Sequence, residues 1–416
     1  MRYAILGGSF NPVHIGHLLL ADAVLSGLGY DRVILIPAFQ SPLKSEAEGA
    51  SPRDRMEMLA ASVPGDPRLT IDNCELNREG LSYTIDTIKD IIARYSPEGK
   101  PGLILGDDLI STFDKWRGTG EIADLTDMIV ARRLPPGTDS SIGAANFPYP
   151  HKILDNEIIN AASNQIRERI GKGGAWRYYV PSGVRQIIED RGLYGFSGSQ
   201  GEGSTGDDFA AGDDFATGGD PDAICLVSKT INIENEVRAS LSIEKFMHSR
   251  NTALLAWDLC GRFGLDRQKG YLAGIAHDMC KPLGHSELMR LAREDGKSIS
   301  ALEQKKPGLL HARAAAVLLR KNFRVSDKDI LEAIRYHTTG VRDMGALAKV
   351  VYIADKIEIS RTGVDPALRD MGRNSDLDTL FSAVLNNTVT YLKSRSLDIS
   401  YGTKRLLAAM HERNKK

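Results

Sequence analysis

A stretch rich in glycine, serine and aspartate, residues 197–222, constrains the fold of this chain more than any other feature. It reads SGSQGEGSTGDDFAAGDDFATGGDPD, repeats GDDFA, and has phenylalanine as its only large apolar residue. Such a segment cannot bury enough apolar surface to offset the conformational entropy that ordering costs. The sequence therefore predicts a flexible acidic linker, in which the second GDDFA is a linker expansion rather than a repeat architecture.

The linker divides the 416 residues into two parts of domain size, 1–196 and 223–416. With 42% hydrophobic residues, each part can form its own core. No apolar run reaches the roughly 18 to 20 residues that a membrane span needs, and the run Tyr3–Leu6 is too short for a signal peptide. The four cysteines form no C-x-x-C pair. We therefore expect two domains in a reducing cytoplasm.

The net charge of −1 is unevenly distributed. It is −4 over residues 1–196, −7 over the linker and +10 over residues 223–416. An excess of positive charge favours an anionic ligand, but without a dense block of lysine and arginine we expect no nucleic acid as a partner. We expect no membrane partner either. The sequence leaves open whether the chain forms a homo-oligomer.

The first part alternates strand-like and helix-like segments, which is typical of a parallel α/β sheet with crossover helices. The predicted strands are Tyr3–Leu6, Arg32–Pro37, Gly102–Leu105 and Asp127–Ala131, and two predicted helices are His14–Leu28 and Tyr83–Ala93. We therefore predict a Rossmann-like α/β domain.

The second part has the pattern of helices nearly throughout, which predicts an all-α domain. Helices are expected to begin at Ser242, Asp266 and Ser326. Ser326 and Asp329 resemble a capping box with aspartate in the usual glutamate position.

A glycine-rich turn with two histidines follows the first predicted strand. Residues 7–17 read GGSFNPVHIGH and open the first predicted helix. Glycines let backbone N–H groups approach phosphate closely, and the N-terminus of a helix favours an anion. His14 and His17, three positions apart, point the same way and can stabilise charge that develops on a phosphorus under attack. The turn therefore predicts a phosphate site.

This turn and three further segments resemble the bacterial nicotinate-nucleotide adenylyltransferases of the HxGH nucleotidyltransferase superfamily, over essentially all of residues 1–196. The further segments are REGLSYTIDT at 78–87, GDD at 106–108 with Phe113 and Trp116, and VPSGV at 180–184 with Leu193 and Tyr194. The resemblance implies ATP, accompanied by Mg²⁺, and nicotinic acid mononucleotide as substrates. The 5′-phosphate would attack the α-phosphorus of ATP, and pyrophosphate would leave.

The same resemblance implies roles for individual residues. The groups that would act on the phosphates are His14, His17, Lys44 and Arg167. The residues that would bind substrate are Gly7, Gly8, Ser9, Phe10, Ser82, Thr84, Gly106, Asp108, Trp116, Ser163 and Asn164. Among these, Asp108 would meet nucleotide hydroxyls, and Ser82, Thr84 and Trp116 would line the pocket for the pyridine ring.

Two segments depart from the family pattern. Where the family has Ile-Ser-Ser-Thr-x-x-Arg, this chain reads AASNQIR at 161–167, so two hydroxyls are lost and Arg167 is kept. We expect Asn164 to cap the following helix and to offer its amide to phosphate. Leu43 replaces a frequent histidine, whereas Lys44 is kept, with a solvated surface lysine as the alternative interpretation.

In the second part, four histidines and their neighbouring carboxylates lie within or beside apolar helical segments. These residues are His248, His277, Asp278, His311, His337 and Asp355. An unpaired polar ring is costly to bury, so the recurrence of this context indicates a shared polar partner. Imidazole and carboxylate ligands suit iron, manganese, zinc or a similar divalent ion, and the lack of thiolates argues against structural zinc.

The order His, His-Asp, His, His, Asp resembles the HD-domain phosphohydrolases over roughly residues 241–411. The segments AHDMCKP, RYHTTG and ADKIE, followed by Arg361, resemble the bacterial family that cleaves diadenosine tetraphosphate symmetrically into two ADP. The resemblance implies that the six residues hold one or two divalent metals, with iron favoured, and that Asp278 belongs to the catalytic machinery. Lys281, as a catalytic group, and Arg361 would meet substrate phosphates, with solvated charges as the alternative.

Together these features predict a cytoplasmic bifunctional enzyme, a nucleotidyltransferase joined by a linker to a hydrolase of dinucleoside polyphosphates. Two alternatives stay open for the second domain. One is a nucleotide sensor that regulates its neighbour without turnover, against which the intact ligand set argues. The other is hydrolysis of a different phosphate ester, as by a nucleotidase or a cyclic-dinucleotide phosphodiesterase.

Overall fold

The computed structural model describes residues 1–40, 42, 49–133, 147–159, 161–197 and 221–413. The chain forms two compact units, Met1–Thr217 and Gly218–Lys416. This division falls within the predicted linker, of which residues 198–220 lie outside the described residues. A helix begins at Pro221, so the last two positions of the predicted linker are helical.

A six-stranded parallel sheet forms the centre of the first unit, with the strand order β3-β2-β1-β4-β5-β6. The strands are β1 Tyr3–Gly8, β2 Arg32–Pro37, β3 Leu69–Ile71, β4 Gly102–Gly106, β5 Asp127–Ala131 and β6 His151–Ile153. The described α-helices are α1 Ile15–Gly27, α2 Pro52–Ser62, α3 Cys74–Arg78, α4 Thr84–Tyr95, α5 Thr119–Leu125, α6 Ser163–Gly171 and α7 Ser182–Asp190. The prediction of a parallel α/β sheet is confirmed.

The first strand is longer than predicted. It pairs with β2 over its whole length, from Tyr3 opposite Arg32 to Gly8 opposite Pro37. The strand therefore runs two residues past Leu6, and both glycines of the predicted turn belong to it. Every residue of β2 is buried, as the near-continuous apolar strands of parallel sheets usually are.

The strand order creates a crevice at one edge of the sheet. The chain passes from β1 to β2 on one side and later reaches β4 on the other side of β1. In open α/β sheets, ligands bind outside the carboxyl ends of the strands where the order reverses in this way. The turn after β1 and the 3₁₀ segment Asp107–Lys115 after β4 both begin at this edge.

The described part of the second unit contains helices and no strands, which confirms the all-α prediction. Its α-helices are α8 Pro221–Ser240, α9 Ile243–Arg262, α10 Arg267–Ala276, α11 His285–Arg293, α12 Ala301–Lys305, α13 His311–Asn322, α14 Lys328–Tyr336, α15 Ala346–Ile357, α16 Pro366–Asn374, α17 Leu377–Ser394 and α18 Tyr401–Arg413. Among the described helices of both units, none combines the length and apolarity that a membrane crossing needs.

Two of the three predicted helix starts are correct. Ser242 and Asp266 each cap the helix that follows by accepting hydrogen bonds from its first backbone N–H groups. The start predicted at Ser326 is wrong by one residue, because the Asp327 carboxylate accepts the N–H groups at the start of α14. A carboxylate at this position also interacts favourably with the helix dipole.

A buried ion pair joins α8 to the helices that carry the second site. Arg250 on α9 has no exposed surface, and its Nε donates to Glu234 on α8 at 3.2 Å. The Tyr271 hydroxyl on α10 donates to the other oxygen of Glu234 at 2.9 Å. Buried charges are tolerated when they are paired and hydrogen-bonded, so these contacts determine how the three helices pack.

Candidate functional sites

The turn after β1 brings the two predicted histidines together. His14 is the N-cap residue of α1 and His17 lies in its first turn, with 3.8 Å between the ring centroids. The ring of Phe10 lies 4.8 Å from that of His17. The three-residue spacing therefore places both imidazoles at the carboxyl edge of the sheet, as the sequence predicts.

The hydrogen bonds of this pair suit an anion. The backbone N–H of His14 donates to Nδ1 of His17 at 3.2 Å, so a neutral His17 carries its proton on Nε2. His14 is 2% exposed, and within the described residues neither ring nitrogen has a hydrogen-bond partner. Burial and the positive charge of Arg133 lower the pKa of His14 to about 3. At neutral pH His14 is therefore uncharged, and its ring offers one N–H donor.

Gly16 permits the close approach of the two rings. A Cβ atom at this position would lie 3.0 Å from Cε1 and Nδ1 of the His14 ring. Real Cβ atoms rarely come so close, so any side chain would push the imidazole out of place. The tight packing of Gly16 against the His14 ring therefore favours glycine at this position, which the sequence alone did not reveal.

The strand end and the turn lie beside the histidine pair. Gly7 is exposed, and no atom lies within 4 Å of the position that its Cβ would take, which leaves room beside the backbone. Gly8 and Ser9 are half-buried, whereas Phe10 is fully buried. A contact of Phe10 with substrate therefore stays a prediction. The turn is held by Arg55, which the sequence did not indicate and whose Nη1 donates to the carbonyl of Ser9 at 2.8 Å.

The 161–167 segment packs against the same turn. The hydroxyl of Ser163 donates to the carbonyl of Pro12 at 2.9 Å, and Nη1 of Arg167 donates to that of Asn11 at 2.8 Å. The predicted cap by Asn164 is wrong, because α6 already begins at Ser163 and Asn164 lies inside the first turn, exposed to solvent. An amide contact with phosphate therefore remains a prediction for Asn164.

The end of β4 contributes carboxylates, and the end of β5 an arginine that the sequence analysis missed. Arg133 Nη1 lies 3.3 Å from the exposed carboxylate of Asp108, and its backbone N–H donates to the buried Asp107 at 3.0 Å. A Cβ at Gly106 would overlap Asp108 and lie 2.6 Å from Cδ of Arg133. The signal for Arg133 was its place directly after a strand of a parallel sheet, where binding residues collect.

The predicted ring-binding residues lie on two separate segments, Ser82 and Thr84 on one and Trp116 on the other. Ser82 accepts the backbone N–H of Phe39 at 3.0 Å, so its hydroxyl holds the segment after β2. Thr84 is the first residue of α4. Trp116 packs on Phe113 with 5.3 Å between centroids, and its buried Nε1 has no hydrogen-bond partner within the described residues. A buried N–H that lacks a partner is costly unless a ligand accepts from it. Lys44 lies outside the described residues.

In the second unit, five segments bring the predicted metal ligands together. They are His248 on α9, His277 and Asp278 after α10, His311 at the start of α13, His337 after α14 and Asp355 on α15. All are buried except His248, which is half-buried.

Backbone carbonyls determine how three of these histidines present their nitrogens. His277, His311 and His337 each place Nδ1 2.7 Å from the carbonyl of the residue three positions earlier. In the neutral form the proton therefore sits on Nδ1, and the lone pair is on Nε2. The Nε2 atoms of His311 and His337 are 3.2 Å apart. Two lone pairs this close are unfavourable unless a proton or cation lies between them.

Asp278 faces one pair of these histidines. Its Oδ1 lies 3.1 Å from Nε2 of His311 and 3.6 Å from Nε2 of His337. Its Oδ2 lies 3.5 Å from Nε2 of His277, so this carboxylate bridges two parts of the cluster.

Asp355 faces the other pair. Its Oδ1 lies 3.1 Å from Nε2 of His248 and 3.7 Å from Nε2 of His277. The ligand atoms of His248, His277 and Asp355 lie within 4.8 Å of one another, and so do those of His277, Asp278 and His337. Five of the six residues therefore form two adjoining groups that share His277, and His311 adjoins the second group through Asp278.

The buried carboxylates of Asp278 and Asp355 favour a cation in the cluster. Burial raises the pKa values of Asp278 and Asp355, but His277 beside the first and Lys356 beside the second hold both well below their usual range. Burial lowers the pKa of His277, yet the two aspartates outweigh it and raise that pKa to about 10. Nε2 of His277 is buried without a hydrogen-bond partner in the described structure. The donor set therefore fits a divalent metal that replaces this proton.

The sequence analysis missed Glu358, which orients His248. Its Oε1 lies 3.0 Å from Nδ1 of His248, and the residue is 1% exposed. The backbone N–H of Ser360 donates to Glu358 at 2.6 Å and holds the carboxylate in place. Carboxylates beyond the direct ligands commonly orient metal-binding histidines in this way. The signal was its position three residues after Asp355.

Lys281 and Arg361 both lie at the cluster. Nζ of Lys281 is 2.7 Å from Asp278, and Nη2 of Arg361 is 2.6 Å from Asp355. Their side chains are 44% and 41% exposed, so each reaches from solvent to a predicted ligand. These positions suit contact with a substrate anion, and binding by either residue stays a prediction.

A third acidic group does not suit a metal. Asp72, Cys74 and Asp90 bring ligand atoms together in the first unit. However, Arg94 donates to Asp72 at 2.8 Å and to Asp90 at 2.6 Å, and Tyr95 donates to Asp72 at 2.7 Å. The guanidinium already neutralises both carboxylates, so this network stabilises the fold.

Two family models match the chain. The model described as cytidylyltransferase-like matches residues 5–169, and the model of the HD domain matches residues 246–360. A protein of Treponema pallidum named "Probable nicotinate-nucleotide adenylyltransferase" is 39% identical over 202 residues, which cover 47% of this chain and 99% of that protein. A protein of the same name from Borreliella burgdorferi is 38% identical over 194 residues, covering 47% of this chain and 97% of that protein.

Solved structures also resemble parts of the chain. A predicted HD superfamily hydrolase involved in NAD metabolism, from Clostridium acetobutylicum, is 28% identical, covers 44% of this chain and 96% of its own, and has a TM-score of 0.41. The nicotinic acid mononucleotide adenylyltransferase of Plasmodium falciparum in complex with NaAD is 19% identical, covers 47% of this chain and 98% of its own, and has a TM-score of 0.40.

Proposed function

Since the chain belongs to the nicotinate-nucleotide adenylyltransferase family, we propose that residues 1–196 transfer the adenylyl group of ATP to nicotinic acid mononucleotide. The products are deamido-NAD⁺ and pyrophosphate. An oxygen of the 5′-phosphate forms a bond to the α-phosphorus of ATP while the bond from that phosphorus to the leaving pyrophosphate breaks. The attacking phosphate is largely ionised at neutral pH, so no protein group has to accept a proton.

The stacked pair of His14 and His17 is the observation that carries this proposal. Negative charge passes to the leaving pyrophosphate during the reaction, and fixed N–H donors aimed at that charge lower the barrier. The ring N–H groups of His14 and His17 serve this purpose, and Arg133 and Arg167 add positive charge. Lys44 is the further phosphate-binding residue in this proposal, and Mg²⁺ accompanies ATP.

The remaining predicted residues of the first unit bind the two nucleotides. Asp108 accepts hydrogen bonds from nucleotide hydroxyls, and the unpaired N–H of Trp116 with its flat ring suits the pyridine of the mononucleotide. The other proposed contacts are Gly7, Gly8, Ser9, Phe10, Ser82, Thr84, Gly106, Ser163 and Asn164.

For residues 223–416, we propose hydrolysis of diadenosine tetraphosphate into two ADP. The match to the HD-domain model and the convergent ligand set support a metal-dependent phosphohydrolase. His248, His277, Asp278, His311, His337 and Asp355 would hold one or two divalent metals, with iron favoured. Such metals polarise phosphoryl oxygens and lower the pKa of water. Lys281 and Arg361 would bind the substrate phosphates from the rim.

The two activities share adenine nucleotides but need not depend on each other. Because one chain joins the two domains, each stays at a raised local concentration near the other, and we propose that each functions independently. On the cysteine pattern of the sequence we place the enzyme in the cytoplasm.

Product analysis tests both halves. Full-length protein loaded with Fe²⁺ or Mn²⁺ is incubated either with ATP and nicotinic acid mononucleotide or with diadenosine tetraphosphate, and products are resolved by chromatography. We expect deamido-NAD⁺ with pyrophosphate in the first reaction and ADP alone in the second. ATP plus AMP in the second reaction would mean asymmetric cleavage, and no turnover by metal-loaded protein would favour a sensor or another ester.

A further inference from the structure

A cavity of about 430 Å³ lies directly beside the metal-ligand cluster of the second unit. Thr338 lines it, and the Thr338 hydroxyl is 3.1 Å from Nε2 of His337 and 3.4 Å from Nε2 of His311. One residue therefore has contact with both the cavity and the ligand nitrogens. Cavities of roughly 300 to 1,000 Å³ are the usual size for small-molecule ligands.

We propose that this cavity binds the part of the substrate that extends beyond the reacting phosphorus, namely further phosphate and the flat base of a nucleotide. The proposal rests on the proposed function of the second unit and deepens it. It assigns the preference for a nucleoside polyphosphate, over a small phosphate ester, to a site formed by Lys297, Arg335 and Tyr336.

The wall of the cavity is held in place by a buried arginine. Arg313, two residues after His311, is 8% exposed and donates to both oxygens of Asp295 at 2.8 and 2.9 Å. It also donates to the carbonyls of Lys297 at 2.9 Å and Ser298 at 3.1 Å. These bonds order the 295–298 loop against the helix that begins at His311. The hydrogen bonds of Arg313 therefore hold the 295–298 loop at a defined position relative to the helix that carries His311.

The cavity carries an excess of positive charge. Three cations, Lys297, Arg313 and Arg335, line it, whereas Glu303 is the single carboxylate among the lining residues. Arg313 donates to Glu303 at 3.0 Å and also to Asp295, so these two carboxylates leave one positive charge in excess among the five groups. The Nε–H of Arg335 is buried and makes no hydrogen bond within the described structure, although Asp295 lies 3.8 Å away. Lys297 is exposed. A phosphate chain would give the Nε–H of Arg335 an acceptor and would offset the excess positive charge.

An aromatic ring stands next to these cations. Nζ of Lys297 lies 5.0 Å from the centroid of the Tyr336 ring and contacts its hydroxyl. Tyr336 directly precedes His337, so the ring is fixed one residue from a predicted metal ligand. Aromatic side chains stack on nucleobases irrespective of base identity. Cations, hydroxyls and a ring in one cavity thus match the phosphates and base of a nucleotide.

Steady-state kinetics of the full-length, metal-loaded protein test this assignment. The variants are Lys297→Ala and Arg335→Gln, with Lys305→Ala and Arg320→Gln as matched controls outside the cavity. Each cavity variant should raise KM for diadenosine tetraphosphate by at least about tenfold, the effect of one lost charge-assisted contact, with a smaller change in kcat. Metal content, measured by elemental analysis, should be unchanged, since neither residue is a ligand.

A binding experiment tests the cavity site separately from the proposed hydrolysis of diadenosine tetraphosphate. ADP binding to the same proteins is measured by calorimetry, and because the first unit is identical in all of them, its contribution cancels in the comparison. Weaker ADP binding in both cavity variants, without hydrolysis of diadenosine tetraphosphate by the wild type, would overturn the proposed reaction and support the cavity site. Unchanged KM and ADP binding in the cavity variants would overturn the cavity assignment, whatever the wild type hydrolyses.

Discussion

In the first unit, His14 and His17 stack at the start of a helix and present ring N–H groups beside backbone N–H groups. In the second unit, His277, His311 and His337 donate hydrogen bonds from Nδ1 to backbone carbonyls and turn Nε2 towards carboxylates, where a metal would bind. The same side chain is a donor in one site and an acceptor in the other. The local backbone decides which, because it engages one ring nitrogen and leaves the other to the ligand.

The pKa values of His14 and His277 move in opposite directions because the charges beside the two buried rings differ. Burial together with the charge of Arg133 lowers the pKa of His14 to about 3. Burial also acts to lower the pKa of His277, but Asp278 and Asp355 raise it to about 10. A site that stays neutral suits phosphate, which brings its own charge. A site with excess buried negative charge suits a metal cation.

Loss of a direct ligand should have the largest effect. Asp278→Ala should lower metal content and reduce phosphohydrolase activity by at least about 1,000-fold, since loss of even an indirect supporting residue costs 10- to 100-fold. Adenylyl transfer should be unchanged. The matched control is Asp370→Ala on the exposed side of α16. Full metal occupancy in Asp278→Ala, measured by elemental analysis, would show that this residue is not a ligand.

Loss of the His17 ring should reduce only the activity of the first unit. His17→Ala should reduce adenylyl transfer by about 100- to 1,000-fold, the usual effect of removing one donor to developing charge. Hydrolysis by the second unit should keep its rate. His151→Ala, on β6, is the control. If a folded His17→Ala protein lost both activities in parallel assays, the proposed independence of the two units would be wrong.

The orienting carboxylate should give a smaller effect on the metal. Glu358→Gln should weaken metal affinity by about 10- to 100-fold, because Glu358 holds His248 in its ligand orientation. Competition with a chelator measures the metal affinity without relying on turnover. The metal affinity of Glu358→Ala should be lower than that of Glu358→Gln. Glu236→Gln, on the exposed face of α8, should match the wild type. Equal metal affinities for Glu358→Gln and the wild type would show that Glu358 does not orient His248 for metal binding.

The smallest effect concerns stability and pH. Because the pKa of His14 falls from 6.5 to about 3 on folding, the unfolded chain binds more protons between these values. Lowering the pH through this range should therefore destabilise the first unit through His14, by at most about 1.4 kcal/mol per pH unit. His14→Gln should lose that component of the pH dependence.

Urea unfolding in a Trp257→Phe background measures this difference, since Trp116 and Trp176 then report on the first unit alone. The wild type and His14→Gln are compared at several pH values between 4 and 7. Parallel curves for the two proteins would mean that His14 is not buried in its neutral form.

Local patterns in the sequence were reliable guides. The alternation of apolar and amphipathic segments predicted β2 and β5 with their observed bounds, and the caps at Ser242 and Asp266 were correct. The wrong predictions concerned which of two adjacent residues begins a helix, and a contact with another segment or the adjacent residue decided that position. Asn164 does not cap α6, since that helix starts one residue earlier, where Ser163 binds the carbonyl of Pro12.

The residues that the sequence analysis missed share one property. Arg133, Arg55 and Glu358 act on groups far away in the chain or on another segment: Glu358 meets His248, 110 residues earlier, and Arg55 meets the turn after β1. No periodicity or spacing within a single segment marks such partners. Their positions near strand ends or predicted ligands were the available hints.

The sequence by itself determined the two-part organisation, the parallel sheet, the helical second domain and which histidines the structure brings together, because each of these follows from composition or from local sequence patterns. Only the tertiary structure decided which nitrogen of each histidine faces a ligand, why Gly16 must lack a side chain, and that a cavity with Arg335 and Tyr336 adjoins the cluster. These features depend on packing between segments that are distant in the chain, and short-range patterns carry no information about such distances.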